Sequence, residues 1–314
     1  MATPRSQGAP DVPPAFATEI ASFRRHLRAE NKSDNTVRIY TDAAERFAKW
    51  LEAGGDLDRD PAACWDDVEP SDVQAWIVSL LDTRSAGYAN NQYRSIQQFF
   101  RWWSDEEQLP NPMAGMSPPA VPEQPVPVLT EEQLGALLKD CQGRDFVARR
   151  DLAIFYMFMD AGVRRAEIAG MLVEDLDLDM REARVRGKGR RDRTVTYGRK
   201  AAVALDRYVR ERGRQKWADS PRLWLAEKNR GTLGTSGIYL MLKRRGRAAG
   251  IPELHPHMLR HSWAHYMKKS GESEENLMRL AGWRSHQMVA RYAASVADER
   301  ARESSKSRAL GDRL

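Results

Sequence analysis

The sequence predicts a mainly α-helical protein of two domains, with one small antiparallel β-sheet confined to the C-terminal domain. Three observations carry this. Up to residue 109, apolar residues recur at helical spacing with no alternating stretch among them. Seven of the chain's 16 prolines then fall between Pro110 and Pro127, a density that removes backbone donors and stiffens the chain toward extended conformations. Beyond them, alternating segments flank Gly187-Lys188-Gly189 within an otherwise helical pattern. The boundaries that follow are a Pro/Ala-rich start over 1–15, expected to be disordered, a helical domain over 16–109, a proline-rich linker over 110–128, a second domain over 129–303 and an Arg-, Ser- and Glu-rich tail over 304–314. At 314 residues the chain is long enough to bury two cores.

The elements can be taken in order. Phe16, Ile20, Phe23 and Leu27 share one face of a first helix that also carries Arg24, Arg25 and Arg28. Ser33 or Asp34 offers an N-cap for a second, with Tyr40, Phe47 and Leu51 on its apolar side. Pro70-Ser71-Asp72 opens a third helix bearing Val73, Trp76, Ile77 and Leu80, and a fourth runs from Tyr88 to Trp103. After the linker, Thr130 and Gln133 form a capping box ahead of Leu134, Leu137 and Leu138. A more apolar, buried helix is expected over Phe146–Ala161. Glu174–Met180, Ala183–Arg186 and Arg193–Tyr197 read as strands, and helical patterns resume from Lys200 to the end, interrupted by a loop near Leu254–His257.

Composition narrows the function classes. No apolar run approaches the ~20 residues that cross a bilayer, and the opening residues MATPRSQGAPDVPP lack an apolar signal segment, so a cytoplasmic location is expected. Cys64 and Cys141 lie far apart with no CxxC or Cys/His cluster, which indicates neither a disulfide framework nor a structural zinc. Residues 1–120 carry 12 basic and 18 acidic side chains, whereas 121–314 carry 38 and 26, so the positive field that would attract a polyanion belongs to the C-terminal part. Charge alone is equally compatible with a solvated basic surface.

Four islands of the second domain bring reactive side chains: Gly162-Val163-Arg164-Arg165-Ala166-Glu167, Arg186-Gly187-Lys188-Gly189, His257-Met258-Leu259-Arg260-His261, and Gly282-Trp283 with Arg291-Tyr292. Singly, each has a bland reading as a solvated helix face, a hairpin turn, an i,i+3 ion pair or a half-buried aromatic. Together they are the inventory that phosphoryl transfer needs without a metal. Two guanidinium forks can hold a phosphate and the charge that develops on it. A tyrosine, with a free pKa of ~10, needs a cationic pocket and a base. A histidine can serve as that base, and a lysine on a hairpin can protonate a departing oxygen. A Walker A loop, an HExxH motif and a carboxylate metal cluster are missing from the sequence, so no cofactor and no metal ligands are expected.

With those residues in view, the sequence resembles the tyrosine recombinases, or phage integrases, whose pattern runs Arg, Lys, His-x-x-Arg, His/Trp, Tyr. AGVRRAEIAGML is similar to the family's first-arginine segment, VRGKGRRDRTV to its lysine hairpin, HPHMLRHSWAHYM to its His-x-x-Arg helix and LAGWRSHQMVARY to its closing segment. The stretch FRRHLRAENKSDNTVRIYTDAAERFAKWL is similar to its helical, SAM-like core-binding domain, so the resemblance covers roughly 16–303. It implies a catalytic set of Arg164 and Arg260 as the phosphate clamp, Lys188 as general acid, His257 assisting proton removal or holding the phosphate, Trp283 as an N–H donor to a phosphate oxygen and Tyr292 as the nucleophile. Glu167 and His261 are expected in support, Glu167 as a buried brace. Trp283 stands where most members have histidine, and an indole can donate one N–H but cannot exchange a proton at neutral pH.

The resemblance further implies a clamp on double-stranded DNA, four protomers at synapsis with a monomer compatible with the free protein, association with the nucleoid, and room for accessory DNA-bending or directionality factors. Arg24, Arg25, Arg28, Lys32, Arg38, Arg94 and Arg101 are the candidate DNA-binding face of an N-terminal domain that is otherwise net negative. The closing segment favours integration and excision of a phage or other mobile element over a chromosome- or plasmid-dimer resolvase of the Xer kind. From other classes, a type IB topoisomerase and a non-cleaving DNA-binding relative stand as rivals. The small size argues against the first and the complete Arg–Lys–His–Arg–Tyr set against the second.

Overall fold

The structure, a computed structural model, describes residues 12–55, 60, 62–122, 127–187, 191–283, 285–286, 289–290, 296, 301–302, 304–306 and 308. The chain divides into two compact units, Met1–Gln124 and Pro125–Leu314.

In the first unit every regular element among the described residues is helical: α1 (Pro14–Ala29), α2 (Asp34–Glu52), α3 (Pro70–Thr83) and α4 (Ala86–Glu107). α1 and α3 begin on proline, whose fixed φ suits the first turn and whose missing N–H is no loss there. α2 and α4 are capped by serine: Ser33 Oγ accepts from the Thr36 N–H at 3.2 Å and Ser85 Oγ from the Tyr88 N–H at 3.3 Å. The core is aromatic. Trp65, on a single 3₁₀ turn (Trp65–Asp67), sits with its ring 4.3 Å from that of Phe99 and 4.9 Å from that of Phe16, and its indole N–H donates to the Phe16 carbonyl at 3.1 Å. Each such ring pair adds about 0.5–1.5 kcal/mol beyond area burial. Trp65 lies outside any helical repeat, so its central place was not visible in the periodicity.

The second unit comprises α5 (Glu131–Asp140), α6 (Phe146–Ala161), α7 (Arg165–Gly170), β1 (Leu176–Asp177), β2 (Glu182–Gly187), β3 (Arg191–Thr196), α8 (Arg199–Arg212), α9 (Thr235–Ala248), α10 (Pro256–Lys269) and α11 (Glu274–Ala281). The strands form one antiparallel sheet in the order β1-β2-β3, with Ala183 opposite Val195 and Val185 opposite Arg193. α6 is the central helix, packed against α8 and α10, with Ile154, Phe155, Met157 and Phe158 fully buried.

Three expectations are corrected here. The strand expected over Glu174–Met180 shrinks to Leu176–Asp177, because side chains compete for its backbone: Asp175 accepts from the Leu172 N–H and Asp177 from the Met180 N–H, both at 2.8 Å. The unbroken helical pattern after Lys200 gives way over 213–234 to irregular chain, with bridges Leu172↔Arg222 and Leu225↔Thr232. Lys228, Asn229 and Gly231 take positive φ there, and Trp224 stacks on Tyr208. The loop near Leu254–His257 ends earlier than expected: His255 is the N-cap and Pro256 the first residue of α10, which puts His257 in a helical first turn.

Candidate active site

The site starts from a glycine. α6 ends at Gly162, whose φ of +54° lies in the left-handed region, and a Cβ there would sit 2.1 Å from Cε3 of Trp263. That turn buries Val163 and delivers Arg164 to the N-cap of α7. The Arg164 backbone N–H donates to Oε2 of Glu167 at 2.7 Å, while its Nη1 donates to Oε1 of the same carboxylate at 2.8 Å and its Nη2 reaches the Gly282 carbonyl at 3.4 Å. The Arg164 side chain remains 40% exposed, so it can meet a ligand.

Arg260 comes from α10 and is buried. It donates to the Gly162 carbonyl and, at 2.6 Å, to the Ala281 carbonyl, with its guanidinium carbon 5.4 Å from the centroid of the Trp283 ring. α11 closes at Gly282 with φ +64°, and the Trp283 N–H returns to the Met278 carbonyl at 2.9 Å, a helix stop that fixes the indole over Arg260. Arg164 and Arg260, 96 positions apart in the sequence, thus converge on the adjacent carbonyls of Ala281 and Gly282.

Glu167 is buried at 3% exposure and is shared. Arg193 on β3 approaches it end-on, Nη1 to Oε1 at 2.7 Å and Nη2 to Oε2 at 2.9 Å, and its Nε donates to the Leu280 carbonyl at 2.9 Å. Burial alone would raise the Glu167 pKa, but the Arg193 hydrogen bonds, the Arg164 N–H, the Arg193 charge and the Arg164 side-chain hydrogen bond outweigh it and hold the carboxyl below its ordinary value. Sequence reasoning passed over Arg193. The available signal was its parity: it shares a strand face with buried Val195 and stands opposite buried Val185, an unusual place for an unpaired cation.

His257 is exposed, its ring 6.3 Å from that of His255 and 6.2 Å from that of His261. Desolvation by the surrounding chain, and then the fields of Arg260, Arg165 and Arg164, lower its pKa, so the imidazole is neutral at pH 7 and can accept a proton. Lys188 and Tyr292 lie outside the described residues; β2 and β3 flank the lysine at Gly187 and Arg191. Among the described residues no cluster of His, Cys, Asp or Glu could hold a metal ion, and no helix is long and apolar enough to cross a membrane. What is assembled is a cluster of two guanidinium groups, an indole and a neutral imidazole, residue types suited to a phosphodiester that gains negative charge as it reacts.

The candidate DNA-binding cations belong to the other unit and are spread over α1 (Arg24, Arg25, Arg28), the turn after it (Lys32), α2 (Arg38) and α4 (Arg94, Arg101). Arg24 donates to Oε1 of buried Glu45 at 2.9 Å, so its guanidinium already serves the fold. Arg38 donates to Asn35 and Arg94 to Asn90, contacts on exposed helix faces that a ligand can displace, and Arg28 and Arg101 are exposed.

Comparison with known proteins fits this geometry. The model of the phage integrase family matches residues 127–299, and that of the phage integrase N-terminal SAM-like domain matches 20–109. Tyrosine recombinase XerA of Thermococcus kodakarensis is 30% identical over 267 residues, which cover 84% of this chain and 86% of that protein. Among solved structures, the XerH site-specific recombinase bound to palindromic difH substrate aligns with a TM-score of 0.72 at 14% identity, over 91% of this chain and 83% of that one. The Tn1549 transposon integrase in complex with transposon right end DNA aligns at 0.69 and 20%, over 92% and 98%. At these identities the two structures establish the fold. The chain belongs to the phage integrase family, the tyrosine recombinases.

Proposed function

We propose that this protein is a site-specific DNA recombinase that cuts and rejoins duplex DNA through Tyr292. The tyrosine oxygen attacks the scissile phosphorus, forming a 3′-phosphotyrosyl bond as the bond to the 5′ oxygen breaks. Lys188 delivers a proton to that leaving oxygen, and His257, neutral at pH 7, takes the proton of the tyrosine hydroxyl or holds the phosphate. Arg164 and Arg260 carry the charge gained by the non-bridging oxygens, and the Trp283 indole N–H adds one donor. The 5′ hydroxyl of a partner strand then reverses the step, so the phosphoester energy is conserved and no nucleotide is spent. The observation that carries the reading is the convergence of Arg164 and Arg260 on the Ala281 and Gly282 carbonyls.

On this reading the partner is double-stranded DNA, four protomers meet at synapsis, and the protein works on the nucleoid. Arg25, Arg28, Lys32, Arg38, Arg94 and Arg101 are the N-terminal cations best placed for phosphate contacts, since they are exposed, whereas Arg24 is half-buried against Glu45. The biological role is integration and excision of a mobile element. A Xer-type resolvase is the second reading, favoured by the XerA relative at 30% identity. Capture on a pool of nicked suicide duplexes with randomised cores, in EDTA, tests the activity and separates the roles. Wild type is expected to yield detergent-resistant protein–DNA adducts whose recovered sequence matches a mobile-element junction, and a match to a single chromosomal palindrome would instead indicate the resolvase. Absence of adducts would count against both.

A further inference from the structure

The charge balance around Glu167 assigns a function to Arg193. Glu167 carries one negative charge and is 3% exposed, and two guanidiniums contact it: Arg164, which is part of the candidate phosphate clamp, and Arg193, which is not. With both present, the trio carries one net positive charge, and Arg164, 40% exposed against 14% for Arg193, is the cation able to present it to a ligand. With Arg193 absent, Glu167 and Arg164 would form a closed, neutral pair, and the phosphate would meet an arginine already neutralised.

We propose that Arg193 is a positioning residue for strand cleavage, which takes up the Glu167 charge so that Arg164 remains a cation toward the scissile phosphate. The same side chain joins three site-bearing elements. It rises from β3, the strand that follows Lys188 in the sequence, engages Glu167 on α7 through two hydrogen bonds, and donates from Nε to the Leu280 carbonyl at the end of α11. A Cβ built on Gly282 would lie 3.4 Å from its Nη1, so Arg193 also lies against the turn that presents Trp283. The inference rests on the recombinase reading, because it needs Arg164 to act on a phosphate.

The test compares single-turnover adduct formation on the captured suicide duplexes for wild type, Arg193→Gln, Arg193→Lys and the double variant Arg193→Gln/Glu167→Gln, with thermal melting recorded for each. Glutamine can keep a hydrogen bond to Glu167 while removing the charge. Arg193→Gln is expected to slow cleavage by about 10–100-fold, the usual loss when a partner behind a reacting group is removed. Arg193→Lys, which keeps the cation, should stay within about tenfold of wild type. The deciding variant is the double one. Removing the Glu167 charge frees Arg164 again, so the double variant should cleave faster than Arg193→Gln although it has lost more hydrogen bonds and melts no higher. A double variant slower than Arg193→Gln, or an Arg193→Gln as fast as wild type, overturns the proposal and leaves the recombinase reading standing. A wild type that forms no adduct overturns both. Should Arg193→Gln not fold, Arg193→Lys decides alone: retention supports the charge role, and a loss of 100-fold or more, about that of removing a transition-state donor, overturns it.

Discussion

Gly162 and Trp263 are packed so closely that no side chain fits between them: an added Cβ would lie 2.1 Å from the indole, at a backbone φ of +54°. The carbonyl of that same glycine receives Arg260. Gly162→Ala must therefore pay for steric overlap and a left-handed alanine, at least about 2 kcal/mol together, and displace Arg260 as it does so. Urea denaturation should show the loss of stability. Adduct formation should fall further than the melting temperature explains, and a variant with wild-type stability and activity would contradict the packing described.

Arg260→Lys separates clamp from binding. Lysine keeps the charge but cannot fork between the Gly162 and Ala281 carbonyls while facing a ligand. Cleavage should fall by about 100-fold, in the range for removing one transition-state donor. Duplex affinity, measured by fluorescence anisotropy at fixed salt, should change little.

Both His255 and His257 have pKa values below the ordinary 6.5, His255 through desolvation and then His257 and Lys243, His257 through desolvation and then Arg260, Arg165 and Arg164. The sign follows from linkage. The unfolded chain takes up protons first, so stability is fully present above 6.5 and is lost as pH falls through the lower folded values. The double variant His255→Gln/His257→Gln should flatten the fall in urea midpoint below pH 6.5, and adduct formation should lose its acid limb only in variants that remove His257.

Asp151 is fully buried and shared by three arginines: Oδ1 accepts from Arg150 at 2.7 Å, and Oδ2 accepts from Arg244 and Arg245, each at 2.9 Å. Arg150 is itself 2% exposed. Asp151→Asn strands that cation and should cost about 3–5 kcal/mol. Arg244→Gln removes a half-exposed partner and should cost no more than about 1 kcal/mol. Paired urea titrations read both, and equal losses would refute the network.

What could be read in the sequence follows from which signals are local. Caps and helical faces gave α1 to α6 because Ser33, Thr130 and the apolar repeats act within one turn of chain. The small antiparallel sheet in the C-terminal domain was legible from Gly187 and its flanking alternation. The short β1 was misjudged because the Asp175 and Asp177 carboxylates capture backbone N–H groups that a strand would have used. The segment over 213–234 was missed because its order comes from distant partners, such as Tyr208 under Trp224. In the candidate site, the residue types were legible as a motif, while Arg193 was not, since its meaning depends on Glu167, 26 positions earlier, being buried and shared with Arg164.

The most direct test of the account is to locate the covalent bond itself. Wild-type protein trapped on a suicide duplex, digested with nuclease and trypsin, should yield the peptide 292–300, which begins at Tyr292 after cleavage at Arg291, carrying a residual nucleotide on its tyrosine. The adduct should form in EDTA and vanish in Tyr292→Phe. A nucleotide mapped to any other residue, or an adduct that persists in Tyr292→Phe, would contradict the assignment of Tyr292 as the nucleophile.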